Sequence, residues 1–429
     1  MSEIVDKTPT PTPTPGSSNV AASSVEAPSY TQKRSFGQLL RGDLGFLPVL
    51  LTFIAIATYF QITTRGLFLT TGNLSNLLQQ IIATGIASLA VTLVLLIGEI
   101  DLSVAVVATF CAVIMGVLSE RYHVPAAFAI IIGILAGALV GTINGFFIAV
   151  LRIPSFIVTL AASIAYSGLL LTFLNGQATL TLSDPTILSI AGSSRSFLPD
   201  VLGVGLPTLA IILYAAAIIW EQLQRRKAGL RTKSPLQLAL QIGIVVVVVE
   251  GVVAILENTP SSTPGLYLGV PNVAAILFGL ILLFWIILTK VKFGRYVYAV
   301  GGNAEAARRA GINVVLIRVS VFALCSALAA VGGIVAASYA DSVASAVSSD
   351  LLLSAIAAAV IGGVSLFGGK GSVWSIVLGT LIIGSLVNGL ALLNQGSDIK
   401  QIVEGAVLLL AVTIDAIIRR VQAASKSGR

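Results

Sequence analysis

The sequence predicts an all-α membrane protein, a bundle of about ten to twelve transmembrane helices. Of its 429 residues, 56% are hydrophobic and only 10% are charged, and the mean hydropathy is +0.99. A soluble domain carries roughly a quarter charged residues, so this chain has too little polar surface to cover a water-soluble body of its size. Its long uncharged runs must be helices, because backbone groups inside lipid can bond only to one another.

The predicted elements follow from the apolar runs, each taken as one helix. Twelve spans result, at 46–62, 76–98, 103–118, 126–150, 154–173, 204–220, 236–257, 273–289, 316–338, 350–366, 373–393 and 401–417. The polar segment before them contains the run TPTPTPTPGSS, which cannot bury enough surface to fold. We therefore predict a disordered cytoplasmic tail at 1–45, a membrane domain at 46–420 and a short cytoplasmic tail at 421–429.

The basic residues set the predicted orientation of these spans. With the N-terminus in the cytoplasm, and with span-end Arg318 counted with its adjoining inside loop, 21 of the 25 Lys and Arg residues fall inside, and only Arg65, Arg121, Arg195 and Lys400 fall outside. Such an excess of positive charge is typical of cytoplasmic loops. The inside segments are 1–45, 99–102, 151–153, 221–235, 290–315, 367–372 and 418–429. The net charge of +7 thus reflects topology and contact with lipid headgroups rather than nucleic-acid binding.

The few candidate metal ligands give no sign of a metal site. Cys111 and Cys325 lie inside apolar runs, and His123 is the single histidine. Buried free cysteines usually act as small hydrophobic residues, and no zinc-ligand spacing is present.

The inside loop at 290–315 predicts a short capped helix over 303–311. Asn303 is a good N-cap, Glu305 lies in the first turn, Arg309 lies in the last turn, and Gly311 suits the C-terminal stop. Two interpretations stay open on local physics alone. The helix is either a docking surface for another protein or an amphipathic segment resting on anionic lipid.

Three segments carry a resemblance to a known family. Glu305-Ala306-Ala307, followed after three residues by Gly311, resembles the EAA loop of ABC-transporter permeases. The longer string GRYVYAVGGNAEAARRAGI at 294–312 resembles permeases of ribose and xylose importers, as do GEIDLSV at 98–104 and IGGVSLFGGKGS at 361–372. The resemblance covers about 76–175 and 290–415. The remaining insert, about 176–270, looks more like the longer xylose-type permeases.

The resemblance implies a fold like that of ABC importer permeases and a function in monosaccharide import. The cargo would be a pentose such as xylose, carried across the bacterial inner membrane with both termini cytoplasmic. The chain would act as a homodimer in membrane lipid, with an ATP-binding cassette subunit and an extracytoplasmic sugar-binding protein. The residues implied to couple it to the ATPase are Gly302, Asn303, Glu305, Ala306, Ala307, Arg309 and Gly311. The usual Ile-x-Leu-Pro continuation of the EAA motif is absent.

One glycine-rich segment resembles a phosphate-binding loop without meeting its requirements. In the segment at 363–372, an extra glycine separates the second motif glycine from Lys370, and Gly371 stands where Ser or Thr is needed. The segment also joins two membrane helices rather than a strand and a helix. We therefore expect no cofactor on this chain and no enzymatic activity, with ATP used by a partner subunit.

Polar residues on the spans are the candidates for the solute path. They are Glu99, Asp101, Asn144, Ser155, Thr159 and Asn388. The alternative is that these residues only stabilise the fold. Asp101 or Ser103 would then cap the following helix, and the amides and hydroxyls would form hydrogen bonds between neighbouring helices. Glu250 and Glu404 also lie in apolar segments, where acids are costly; Glu404 is close enough to an outer loop to reach water.

Two other functions compete with ATP-driven import. A proton-coupled secondary transporter would use Glu99, Asp101 or Glu250 as its proton site, and would work without ATP or a partner chain. A non-transporting membrane scaffold would need no polar path at all.

Overall fold

A computed structural model describes residues 47–192, 196–230, 232, 234–260, 268–347 and 349–427. The predicted tail at 1–45 lies outside these residues. The described chain is almost entirely helical. Its elements, in chain order, are α1 Leu47–Thr63, α2 Thr71–Leu96, α3 Val104–Glu120, α4 Ala126–Ala149, α5 Ser155–Phe173, β1 Thr179–Thr181, α6 Pro185–Ala191, α7 Asp200–Lys227, α8 Pro235–Glu257, α9 Asn272–Lys290, α10 Lys292–Gly302, α11 Ala304–Arg309, α12 Val314–Tyr339, β2 Ser342–Ala344, α13 Ser349–Ile361, α14 Ser375–Leu392 and α15 Ser397–Ser427.

Each of the twelve predicted spans is a helix, which confirms the predicted fold class. In the described part of the chain, eight helices are long and apolar enough to cross a membrane, and three shorter ones are apolar. Several boundaries differ from the prediction, including the start of α2 at Thr71 rather than 76 and the bounds of α7 at Asp200–Lys227 rather than 204–220. Helix α13 ends at Ile361 rather than 366, because Gly363 takes a positive φ of 95° that stops the helix. Helix α15 continues to Ser427, so most of the segment predicted as a C-terminal tail is helical.

Helices α3 and α12 lie at the centre of the bundle, and α4 packs closely against α12. Nearly every side chain of α3 is buried. Gly137 of α4 faces the backbone of α12, where an added Cβ would lie 2.6 Å from the carbonyl oxygen of Ser326. Gly141, one turn further on, faces the carbonyl oxygen of Phe322. The spaced glycines therefore bring two backbones together, as small residues do in membrane helix pairs.

The insert forms a hairpin of α7 and α8. Thr208 donates a hydrogen bond to Glu250 Oε1 at 2.9 Å, and Gln241 donates one to the Tyr214 hydroxyl at 3.0 Å. Both bonds join α7 to α8. Glu250, which the sequence left without a role, thus ties the two helices of the insert together.

The loops gather at two ends of the bundle. One end, here called the basic end, carries the connections at 97–103, 150–154, 291–313 and 362–374. These loops bond directly to one another: Gly369 N–H donates to the carbonyl oxygen of Leu96 at 2.9 Å, and Ile100 N–H donates to Ser155 Oγ at 3.3 Å. The sequence places all four connections on the same side of the membrane.

The opposite end is closed by a small sheet and by side-chain bonds between loops. Strands β1 and β2 pair antiparallel, with Leu180 opposite Val343. Glu120, at the end of α3, accepts a hydrogen bond from the Ser183 backbone N–H at 3.0 Å, and Arg121 donates to the carbonyl oxygen of Phe173 at 2.9 Å. The sequence did not predict these strands, because they are three residues long and lie in the insert and in a loop.

Candidate functional site

Helix α11 at the basic end has the local structure that its sequence predicts. The Asn303 side chain accepts a hydrogen bond from the Ala306 N–H at 2.9 Å, which caps the helix. Gly311 has a φ of 83°, and the Ile312 N–H donates to the Ala307 carbonyl oxygen at 3.0 Å, which closes the C-terminus. One feature was missed: a separate helix, α10, precedes α11 in the same loop.

One face of α11 is charged and open to solvent, and the other is packed. Glu305 forms ion pairs with Arg308 at 3.2 Å and with Arg309 at 3.3 Å, and their side chains are 56%, 60% and 80% exposed. Ala307 is buried. Exposed pairs of this kind contribute only about 0–1 kcal/mol to stability. The charged face therefore contributes little to the fold and is free to meet another surface.

Helix α10 fixes α11 to two turns of the membrane domain. Gly301 packs so closely on Leu96, at the end of α2, that a Cβ there would collide with the Leu96 carbonyl oxygen. The same Cβ would lie 2.7 Å from the Gly369 nitrogen. The Tyr298 hydroxyl donates to the Gly371 carbonyl oxygen at 3.0 Å. The segment that imitates a phosphate-binding loop thus acts here as a packing surface for α10.

An ion pair joins α12, which follows this loop, to the turn between α2 and α3. Arg318 and Glu99 lie 3.2 Å apart, and their side chains are 28% and 16% exposed. The pair is better shielded from solvent than the pairs on α11, so it is the stronger restraint on relative movement. Glu99, a candidate for the solute path, is held by this pair at the basic end.

Five of the six path candidates surround the 97–103 turn. The backbone N–H groups of Ile100 and Leu102 donate to Ser155 Oγ at 3.3 Å and to Thr159 Oγ1 at 3.1 Å. Asp101 Oδ1 accepts from the Ser103 N–H at 2.8 Å and from its hydroxyl at 2.6 Å. Asp101 therefore shapes the turn before α3. The Ser103 hydroxyl makes no capping bond, although Ser103 stands at the N-cap position.

A chain of polar groups continues from this turn into the bundle. Asn144 donates to Ser103 Oγ at 3.3 Å, and the Tyr166 hydroxyl donates to Asn144 Oδ1 at 3.3 Å. On the other side, the Cys325 thiol lies 3.9 Å from Asp101 Oδ2, a weak contact. Burial raises the pKa of Asp101 above its ordinary value, and the hydrogen bonds from Ser103 oppose that rise.

Sequence reasoning missed three members of this arrangement, which are Arg318, Tyr166 and Cys325. Tyr166 had a usable signal, because it lies seven residues after Thr159 and so on the same face of α5. Arg318 and Cys325 had none, since their partners lie more than two hundred residues away in the chain.

Asn388 lies apart from the other path candidates. Its amide accepts a hydrogen bond from Asn73 at 2.9 Å and donates one to Gln80 Oε1 at 3.3 Å. Both partners belong to α2, so Asn388 joins α14 to α2 in the half of the bundle away from the basic end.

Comparison with known proteins gave a consistent set of relatives. Residues 73–235 and 236–412 match the family described as "Branched-chain amino acid transport system / permease component". The chain is 33% identical over 385 residues to the xylose transport system permease protein XylH of Escherichia coli (strain K12), which covers 90% of this chain and 95% of that protein. No solved structure matched.

Two further relatives extend the comparison. The chain is 34% identical over 380 residues to XylH of Haemophilus influenzae, which covers 86% of this chain and 96% of that protein. It is 31% identical over 373 residues to the ribose import permease protein RbsC of Escherichia coli (strain K12), with coverage of 86% and 92%. The family match, at 73–235 and 236–412, includes the insert at 176–270.

Proposed function

Because this chain belongs to the family of permease components of branched-chain amino acid transport systems, we propose that it is the membrane-spanning subunit of an ATP-driven monosaccharide importer. A pentose such as xylose is the first candidate for its cargo. Relatives that carry xylose and ribose in their names support this choice.

The observation that carries the proposal is the placement of α11. Its charged face, formed by Glu305, Arg308 and Arg309, is exposed, while α10 joins its base to the end of α2 and to the loop between α13 and α14. A helix resting on lipid needs no such rigid connection to the bundle. A helix that transmits movement from a partner does.

The mechanism follows from these connections. ATP, bound and hydrolysed by a partner ATPase, supplies the energy, and this permease performs no bond chemistry. Closure of the paired ATPases moves α11 and α10, which push on Leu96 and on the Gly368-Gly369 turn. The Arg318–Glu99 pair carries the same movement from α12 to the turn around Asp101. Access to the path then alternates between the two sides.

The polar groups near that turn favour a neutral, hydroxylated cargo. Asn144, Ser155, Thr159 and Tyr166 offer amides and hydroxyls that both donate and accept hydrogen bonds. Their present bonds are to other protein groups, so a passing sugar would exchange these bonds for its own.

The partners and orientation are part of the same proposal. We expect a homodimer in the bacterial inner membrane, an ATP-binding cassette subunit at the basic end, and a sugar-binding protein at the opposite end. The excess of Lys and Arg near the basic end supports a cytoplasmic position for it. Both chain termini would then be cytoplasmic.

Cysteine labelling tests this orientation. The two native cysteines, Cys111 and Cys325, are buried and give little background. In intact cells, Ala228→Cys, in the segment 221–235 predicted to lie inside, should stay unlabelled by an impermeant maleimide, and Gln395→Cys at the opposite end should be labelled. Permeabilised cells should label both. Labelling of Ala228→Cys from outside would overturn the topology and the position of the ATPase together.

Uptake by reconstituted vesicles tests the function itself. The permease with its ATPase and binding protein should accumulate xylose only when ATP is present on the ATPase side. A proton gradient without ATP should drive no xylose uptake. Uptake driven by the gradient alone would instead establish a secondary transporter, with Glu99, Asp101 and Glu250 as the acids to test. A membrane that transports no sugar under either condition would favour the scaffold.

A further inference from the structure

A cavity lined by both polar and apolar side chains lies between α2, α13, α14 and α15, in the half of the bundle away from the basic end. Its volume is about 210 Å³, below the ~300–1,000 Å³ typical of sites for drug-sized ligands. It is therefore suited to a small solute. None of its lining residues belongs to the network around the 97–103 turn.

The lining combines hydrogen-bonding groups of both kinds with apolar side chains. The polar members are Gln80, Thr84, Asp350, Ser354, Ser397, Lys400 and Glu404. Carboxylates accept hydrogen bonds, the lysine ammonium donates them, and the amide and hydroxyls do both. Apolar contacts come from Ile81, Leu351, Ile383 and Val387. A sugar presents this same mixture, with hydroxyl groups around its edge and C–H groups on its faces.

The buried acid that lines the cavity is Glu404. Its side chain is buried and accepts a hydrogen bond from Ser354 Oγ at 3.0 Å. It lies seven residues into α15, roughly 10 Å along the helix from Ser397. An acid at this depth is costly and usually marks a solute or ion path. From the sequence, Glu404 is close enough to an outer loop to reach water, but the structure buries it.

The opening of the cavity also indicates an aqueous path. Gln80 and Ser397 are exposed at its rim, and Gln401 donates to Asp350 Oδ2 at 3.4 Å nearby. Polar side chains open to hydrocarbon would lose hydrogen bonds at a substantial cost. The mouth of the cavity therefore suits water rather than hydrocarbon.

Asn388, itself one of the predicted path residues, contacts the cavity lining. Its amide donates to Gln80 Oε1 at 3.3 Å, and its oxygen is held by Asn73 at 2.9 Å. Gln80 is one of the lining residues. Asn388 is thus a positioning residue that orients the Gln80 amide at the cavity rim.

We propose that this cavity is the entry-side binding site for a neutral monosaccharide, with Glu404, Lys400 and Gln80 as its binding residues. This inference rests on the proposed function and adds a second binding site on the same path. The sugar enters here from the opposite end and moves toward the 97–103 turn when access changes. Asp350 and Glu404 together with Lys400 give the cavity no excess of positive charge, so it does not select anions.

Protection from labelling tests occupancy directly in the assembled importer. Ser397→Cys, at the exposed rim, should react with a small impermeant thiol reagent several-fold more slowly in millimolar xylose. Sucrose, which is too large for the cavity, should give no protection. Gln395→Cys, exposed at the same end but outside the cavity, should label at the same rate with and without xylose. Protection by sodium ions and not by xylose would overturn the assignment in favour of a cation site.

Substitution of the acid supplies the functional readout. Glu404→Gln keeps the volume and the bond from Ser354 but removes the charge, and it should lower maximal ATP-driven xylose uptake about tenfold or more and abolish protection of Ser397→Cys. Asp398→Asn, an exposed acid in the same helix outside the cavity, should leave both unchanged. Stimulation of the ATPase by the loaded binding protein reports assembly.

The outcomes separate this inference from the proposed function. If the unmodified complex shows no ATP-driven sugar uptake, the proposed function is wrong. If the complex imports xylose while Ser397→Cys is never protected and Glu404→Gln imports normally, the cavity site is wrong and the proposed function stands. Should Glu404→Gln fail to assemble, protection of Ser397→Cys in the otherwise native chain decides the matter.

Discussion

Replacing Gly301 with alanine is expected to uncouple ATP hydrolysis from transport. The added Cβ would collide with the Leu96 carbonyl oxygen and lie 2.7 Å from the Gly369 nitrogen, both backbone atoms that cannot rotate away. Alanine favours a helix by up to about 1 kcal/mol over glycine. Any loss of transport in this variant would therefore come from tertiary packing and not from a weaker helix. Overpacking costs about 1–3 kcal/mol, which predicts a fall in ATP-driven uptake of about fivefold or more.

Gly279 supplies the control for this experiment. It is a helical glycine of α9 outside the coupling loop, and a Cβ there would meet no atom within 4 Å. Gly279→Ala should therefore import normally. Uptake and ATPase activity measured on the same vesicles distinguish uncoupling from loss of the partner, because Gly301→Ala should keep its ATPase bound. Equal uptake by the two variants would show that the α10 junction does not transmit movement.

Reversing the charge of Glu305 is expected to release the ATPase subunit. Glu305→Lys places a like charge beside Arg308 and Arg309 and removes the acid from the first turn of α11. Exposed ion pairs and charges at helix ends contribute only about 0.3–1 kcal/mol each to stability, so the membrane domain should stay folded. Loss of a contact at a binding hot spot costs roughly 2 kcal/mol or more. The affinity of the permease for the ATPase should fall about thirtyfold. The ATPase should then no longer co-purify with the permease, and import should stop.

Two companion variants make this result specific. Glu221→Lys, at the end of α7, also breaks an exposed ion pair, with Arg225 at 2.8 Å, and should change neither ATPase binding nor uptake. Gly311→Val forces a β-branched residue into a positive φ of 83° and should mimic Glu305→Lys by disordering the end of α11. A helix resting on anionic lipid would tolerate Glu305→Lys, because added positive charge favours that surface. Normal ATP-dependent uptake by both Glu305→Lys and Gly311→Val would exclude a coupling role for α11.

The local features of α11 could be predicted because short-range physics determines them. The Asn303 cap, the first-turn acid Glu305 and the positive φ at Gly311 involve groups within four residues of one another. The neighbouring helix α10 was missed, since its sequence has no capping residue and its N-terminus at Lys292 follows α9 after a single residue. What holds α10 in place is Gly301 against Leu96, a contact between distant parts of the chain.

For the polar candidates too, the sequence shows the residue types, but only the packing shows where each one lies. Their residue types marked them for the solute path, but five gather around the 97–103 turn while Asn388 lies with Gln80 on another pair of helices. Glu404 looked peripheral from its distance to a loop, and packing of α13 against α15 makes it buried. Whether an acid near a helix end reaches water depends on which helices cover it.

The sequence by itself determined that this protein is a membrane-spanning helical bundle, where its twelve predicted spans lie, and which segment forms the capped helix α11. These properties follow from the length of apolar runs, the charge of the loops and contacts between residues close in the chain. Only the tertiary structure decided that α10 joins α11 to the end of α2 and to the loop between α13 and α14, that Arg318 pairs with Glu99, and that Glu404 lines a cavity between four helices. Each of these depends on how helices distant in sequence pack, and apolar periodicity contains no information about which faces meet.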